Sequence, residues 1–130
     1  MSGPFRILVV EDEPVIRELV RSLLTESECE VETAPNAADG LKLAKTQTFD
    51  LVLLDVVLPP TGSIQLDGVA VCRMLRADPR MVKTPIYMLT AKAKKADVEI
   101  AMKAGANGYI HKPFRGAELL DLVDKLKAKL

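Results

Sequence analysis

The stretch Asp50-Leu51-Val52-Leu53-Leu54-Asp55-Val56-Val57-Leu58-Pro59-Pro60 decides how this chain folds. Leu51 to Leu54 form an unbroken apolar run, the mark of a strand buried on both faces, as parallel strands usually are. Asp55 follows inside the same run. An unpaired carboxylate buried there would cost several kcal/mol, about 3–5 when a partner is missing. Asp55 is therefore expected at the strand's end, where partners meet it, and kept for a chemical task.

Working outward, strand-like and helix-like segments alternate along the chain. Phe5 to Val10 reads as a strand ending at Glu11-Asp12-Glu13. Pro14 suits the first turn of a helix whose inner face would be Ile16, Leu19, Val20 and Leu23. Val31 to Ala34 is a second strand, closed by Pro35, and Asn36 can cap a helix facing inward with Ala37, Leu41 and Ala44. Phe49 to Leu54 is the third strand. After the loop through Pro60, Thr61, Gly62 and Ser63, Asp67-Gly68 opens a helix carrying Val69, Cys72 and Leu75, stopped by Asp78-Pro79.

The fourth strand, Ile86 to Leu89, ends at Thr90-Ala91. A helix over about 94–104 follows, with Val98, Ala101 and Met102 inward and Gly105 as a left-handed stop. Tyr109 and Ile110 make a fifth strand, followed by His111-Lys112-Pro113. The last helix, about 116–130, turns Leu119, Leu122, Val123 and Leu126 inward. Five strands each followed by a helix predict an α/β fold, a doubly wound five-stranded parallel sheet covered on both faces. With 130 residues the chain is expected to be one domain, 1–130, with its core over about 6–130 and no output domain.

Composition narrows the function. Lys plus Arg and Asp plus Glu both number 18, so no global charge favours nucleic acid or a membrane surface. Cys29 and Cys72 have neither disulfide-framework density nor metal-ligand spacing, which predicts reduced, buried thiols. The N-terminus lacks a signal-peptide pattern, and no apolar run approaches the roughly 20 residues of a membrane helix. A cytoplasmic protein without membrane insertion or direct nucleic-acid binding is expected.

In a doubly wound sheet, ligands bind beyond the carboxyl ends of the strands. Those ends deliver Glu11 and Asp12, then Asp55, then Thr90, then Lys112. Three converging carboxylates repel one another unless a hard cation joins them, and Mg²⁺ takes oxygen ligands of this kind. With a hydroxyl and an ammonium beside them, the set suits phosphoryl transfer to a carboxylate. Each residue alone has a plainer explanation: Glu11 and Asp12 as helix-start acids, Thr90 as a turn residue, Lys112 as a solvated charge. Only Asp55, inside its apolar run, resists one, and it is the coincidence of four strand ends that carries the chemistry.

Taken in order, Glu11-Asp12, Asp55-Val56-Val57-Leu58-Pro59, Thr90-Ala91 and Gly105-Ala106-Asn107-Gly108-Tyr109-Ile110-His111-Lys112-Pro113-Phe114 resemble the response-regulator receiver domain, the phosphoacceptor module of two-component signalling. The resemblance implies a flavodoxin-like (βα)5 fold with strand order 2-1-3-4-5. It implies Asp55 as the aspartyl-phosphate position, with Mg²⁺ held by Asp12, Asp55 and the Val57 backbone carbonyl, and by Glu11 through water. Glu11 stands where many members have aspartate. Lys112 would contact the phosphoryl group, before a Lys112–Pro113 bond open to the cis form. Thr90 would bond a phosphoryl oxygen, and Tyr109 would turn inward as the switch. As an alternative, Tyr109 merely anchors the last strand to the core.

The expected phosphodonor is a histidine kinase or histidine phosphotransfer protein. The downstream protein target would dock on the face of helix four, strand five and helix five, including Lys95 and Tyr109. The domain would catalyse its own phosphorylation and dephosphorylation without being a turnover enzyme. The competing reading is a phosphorylation-independent, receiver-like binding module, which predicts loss of the acid, Thr or Lys positions. An aspartyl-phosphate phosphatase would need an aspartate where Val57 stands, and a flavodoxin-like cofactor binder would need a phosphate loop where Glu11-Asp12-Glu13 stands. Val57 and Lys92, two positions beyond Asp55 and Thr90, are expected to tune phosphoryl lifetime. His111 is assigned no function. One departure stands out: Asp67-Gly68 comes five residues later than the family's acid–glycine pair, with Pro60 to Ile64 among the extra residues of the loop.

Overall fold

The computed structural model describes residues 3–63, 65–91 and 94–130. Five parallel strands, β1 (Arg6–Val10), β2 (Glu30–Ala34), β3 (Leu51–Leu54), β4 (Ile86–Thr90) and β5 (Gly108–His111), form one sheet in the order β2-β1-β3-β4-β5. The helices are α1 (Pro14–Glu26), α2 (Ala37–Thr46), α3 (Gly68–Arg76), α4 (Lys95–Lys103) and α5 (Gly116–Lys127), with a short 3₁₀ turn at Pro79–Met81.

Alternation along the strands divides the core in two. Leu8, Val10, Val52, Leu54, Ile86 and Met88 point to one face, where α2, α3 and α4 contribute Ala37, Ala44, Cys72, Leu75 and Ala101. Ile7, Val9, Leu51, Leu53 and Leu89 point to the other, against Val20 and Leu24 of α1 and Leu119 and Val123 of α5. Both cysteines are buried free thiols, and burial pushes each thiol above its ordinary pKa. Among the described residues, no helix is long and apolar enough to cross a membrane.

Local signals act where expected. Asn36 and Asp67 cap α2 and α3, accepting from the Asp39 and Ala70 N–H groups. Gly105 has φ +112° and ends α4. Arg76, a residue with no apparent role in the sequence, ties the loops opposite the strand ends together. Its Nε donates to the Gly105 carbonyl (2.8 Å). One terminal nitrogen bonds the Met81 and Thr84 carbonyls (2.7 Å each), and the other bonds Asn107 Oδ1 (2.5 Å).

Two expected inner-face residues lie outside. Leu19 is 47% exposed and Met102 43% exposed. Helical spacing gives the apolar stripe but not its centre: α1 turns Val20 and Leu24 to the sheet, and α4 turns Ala101. Phe49 is buried but precedes β3, whose register begins at Leu51 against Ile7. Asp50 there accepts from the Arg6 N–H (2.8 Å), so a side chain takes the place of a ladder bond.

Candidate functional site

Register brings the site together. Val10 is opposite Leu54 across β1 and β3, so Glu11 and Asp55 leave the sheet side by side. Their backbones continue the ladder, Asp55 N–H to the Val10 carbonyl (3.0 Å) and Glu11 N–H to the Ala34 carbonyl (2.9 Å). Thr90 is opposite His111 across β4 and β5, and Lys112 N–H donates to the Thr90 carbonyl (2.9 Å). The Lys112–Pro113 peptide is cis.

Glu11, Asp12 and Asp55 each place a carboxylate oxygen within 4.8 Å of the others. Glu11 is fully buried, Asp55 almost so and Asp12 half-buried. Lys112 Nζ donates to Asp55 Oδ2 (2.9 Å) and lies 2.5 Å from Glu11 Oε1. The second contact is a close ion pair, so Lys112 is shared between the two buried carboxylates. Asp55 Oδ1 accepts from the Val57 N–H (3.0 Å), so both oxygens of the Asp55 carboxylate are held. Glu13 caps α1 without a side-chain bond. The Glu11 carboxylate instead accepts from the Glu13 N–H (3.1 Å).

These groups perturb one another. Burial pushes the Glu11 carboxyl up to about 7, against the opposing influence of Lys112 and the Glu13 N–H, with the Asp55 charge adding to the rise. Burial pulls the Lys112 ammonium down, but its contacts with Glu11 and Asp55 outweigh that and hold it above its ordinary value. Lys112 therefore stays charged near neutrality, and Glu11 is the member whose charge is marginal. One ammonium against three acids leaves negative charge uncompensated. An all-oxygen donor set of three clustered carboxylates with excess negative charge fits a hard divalent cation such as Mg²⁺.

Thr90 is fully buried at its strand end. Tyr109 is half-buried and packs on the α2–α3–α4 side of the sheet, with its hydroxyl sheltered and lacking a hydrogen bond among the described residues. Burial, then the charges of Asp97 and Asp55, raise its pKa. Val57 is 51% exposed at the mouth of the site. Lys95 is exposed at the start of α4. Lys92 lies outside the described residues.

Arg17 escaped the reading of the sequence. A polar residue between the apolar positions of α1, it has an Nη1 that donates to the carbonyls of Glu11 (2.9 Å) and Asp12 (3.2 Å). The available signal was its place one turn into α1, within reach of the acids preceding Pro14.

The inserted loop does not disturb the site. Gly68 N–H donates to the Val56 carbonyl (2.8 Å), and the Gly68 Cα lies directly against the backbone of Asp55. Half-buried Leu58 and Leu66 tether the loop to the core.

Comparison with known proteins agrees with this geometry. The family model described as response regulator receiver domain matches residues 7–124, and the chain belongs to that family. Its strand order and helices are those of the CheY-like flavodoxin fold. It is 38% identical over 120 residues to the transcriptional regulatory protein CseB of Streptomyces coelicolor, covering 92% of this chain and 48% of that protein. The chain thus spans about half the length of the curated relatives it matches. It is similar to the chemotaxis response regulator CheY4 of Vibrio cholerae (TM-score 0.87, 28% identity, 95% of this chain and 99% of that one). It is similar also to the receiver domain of the sensor histidine kinase PA1611 of Pseudomonas aeruginosa (TM-score 0.84, 32% identity, 95% and 98% covered). That structure has a magnesium ion coordinated in its active-site cleft.

Proposed function

We propose that this chain is a phosphorylation-dependent switch that accepts a phosphoryl group on Asp55 from a phosphohistidine of a histidine kinase or phosphotransfer protein. The observation that carries the reading is the Asp55 carboxylate, buried, held at both oxygens and bonded to Lys112. An Asp55 oxygen attacks phosphorus in line as the bond from phosphorus to the imidazole nitrogen breaks, and the imidazole leaves with that electron pair. Lys112, already aimed at Asp55, receives the charge of the phosphoryl oxygens. Thr90 supplies a hydroxyl to one of them. Arg17 keeps the Glu11–Asp12 backbone in place while the two carboxylates remain close.

Asp12, Asp55 and the Val57 carbonyl, with Glu11 behind them through water, would hold Mg²⁺. When bound, the cation neutralises the acids and the transferring group. Loading the site with nearly two further negative charges biases the Thr90 loop and Tyr109. The face of α4, β5 and α5, with Lys95 and Tyr109, then presents a changed surface to a downstream protein. Self-catalysed gain and loss of the phosphoryl group is a signalling cycle rather than turnover. On α1, Val15 and Leu19 are exposed beside the site and offer the donor an apolar landing surface.

Incubation with Mg²⁺ and a small acyl phosphate, read by intact mass, is expected to add one phosphoryl group. Asp55→Asn should add none. Equal uptake by that variant, or none by the native chain, would defeat the reading in favour of a phosphorylation-independent binding module.

Val57 sets the lifetime. Its half-exposed apolar side chain gives an attacking water nothing to bond at the mouth of the site. Val57→Asn is expected to speed hydrolysis several-fold, on the order of 1 kcal/mol in the barrier. Decay at the native rate, followed by loss of the added mass, would remove Val57 from the account.

A further inference from the structure

The inserted loop and two helices build a groove that phosphoryl transfer does not use. Along α2, Ala38, Leu41, Lys42 and Lys45 recur at helical spacing on one side. Met74 of α3 faces them, 46% exposed, and Leu66 of the loop forms the floor between. This part encloses about 380 Å³. It continues past Leu66 into a second hollow of about 510 Å³, where Ala70 and Arg73 of α3 meet Leu58 and Pro60. The groove therefore follows the α2–α3 seam towards the loop that carries Asp55.

Its chemistry is one-sided. The hollow beside α2 is mainly apolar and the one beside the loop is mixed, with Gln65 and Asp67 in its lining, while Lys42, Lys45 and Arg73 stand exposed along them. The acid in the lining, Asp67, is engaged in capping the Ala70 N–H (2.8 Å). Among the described residues none of the three cations forms a salt bridge, although the charge of Lys45 is felt at Asp78, whereas Arg80 nearby is paired with Asp78 and caps the end of α2. Leu66 belongs to the segment lengthened in this chain, so the groove takes its shape from the insertion.

We infer that this groove is a docking site for an acidic amphipathic helix of a partner protein. A helix laid along the seam places apolar side chains at i, i+3 or i+4, and i+7 on Leu41, Leu66 and Met74. Carboxylates on its flanks meet Lys42, Lys45 and Arg73, which steers encounter and selects against basic helices. Nucleic acid does not fit: three cations around an apolar floor, on a chain with zero net charge, lack a backbone-tracking stripe. A second copy of the chain fits poorly too. The exposed apolar face of α1 carries Glu18, already paired with Arg21, and the apolar face of α5 is buried on the sheet.

The test uses the whole unphosphorylated chain, so it is independent of the Asp55 chemistry. The probe is a labelled synthetic helix of about four turns, with Leu at i, i+3, i+4 and i+7 and Glu elsewhere, read by fluorescence anisotropy at low salt. Saturable binding is expected, weakened about tenfold by Lys42→Glu with Lys45→Glu, and by Met74→Asp. The same peptide with Lys for Glu should not bind. Met74 is exposed enough to change without loss of folding, checked by circular dichroism. Absence of saturable binding, equal binding to the variants, or concentration-dependent self-association abolished by Met74→Asp would overturn the proposal.

Discussion

Replacing Gly68 by alanine is expected to destabilise the fold by about 2–4 kcal/mol and to displace Asp55. A Cβ there would lie 2.0 Å from the Asp55 carbonyl oxygen, 2.7 Å from its carbon and 2.8 Å from the Val56 Cα. These are backbone atoms at the end of a fully buried strand, so no flexible side chain can give way. Either α3 moves away, opening the buried contacts of Val69 and Cys72, or the Asp55 peptide shifts and its carboxylate leaves Lys112. Gly62 makes the control. It has φ +61° with nothing within 4 Å of its would-be Cβ, so Gly62→Ala costs only the left-handed backbone preference, about 1 kcal/mol. Urea unfolding of both variants measures the difference, and equal midpoints would show that the lengthened loop lets α3 yield.

Glu11→Gln is expected to stabilise the metal-free protein at pH 8 and to weaken Mg²⁺ binding. With its folded pKa raised to about 7 from an ordinary 4.5, Glu11 binds a proton more tightly in the native state. Its contribution to stability is fully present below about pH 4.5 and is lost as pH rises through about 7. At pH 8 the native state therefore carries a buried carboxylate at a cost of up to roughly 3 kcal/mol. Glutamine keeps the shape without the charge and leaves Asp55 bonded to Lys112. Unfolding free energy measured from pH 4.5 to 8 without metal should fall for the native chain by more than for the variant. Added Mg²⁺ should recover stability at pH 8 in the native chain and much less in Glu11→Gln. Parallel pH curves for the two proteins would show that Glu11 does not carry the penalty.

Both effects arise where the chain departs from a plain reading of its sequence. The loop after β3 is longer than the family pattern, and Gly68 keeps the site intact despite it. The extra residues are taken up before the glycine, so the close approach to Asp55 is kept whatever the loop's length. Glu11 in place of aspartate reads as a small change along the sequence. In the fold its carboxylate is fully buried against Lys112 and bonded to Glu13, which makes it the most strained charge of the set.

Alternating apolar runs and capping residues determined the five strands, the five helices and the parallel sheet, because buried parallel strands and their helices each leave a local pattern. The acids after β1, the aspartate after β3, Thr90 and Lys112 were legible for the same reason: each ends a strand, and strand ends converge in a doubly wound sheet. Three things were decided only in three dimensions. Leu19 and Met102 fit a helical stripe but face outward, because packing against a twisted sheet, not periodicity, chooses the centre of the buried face. Arg17 and Arg76 bond chiefly to backbone carbonyls, which carry no residue-type signal, so only the position of Arg17 in α1 hinted at its part. The groove over α2 and α3 exists because Leu66 folds back onto the core, a contact between distant segments that no window along the chain contains.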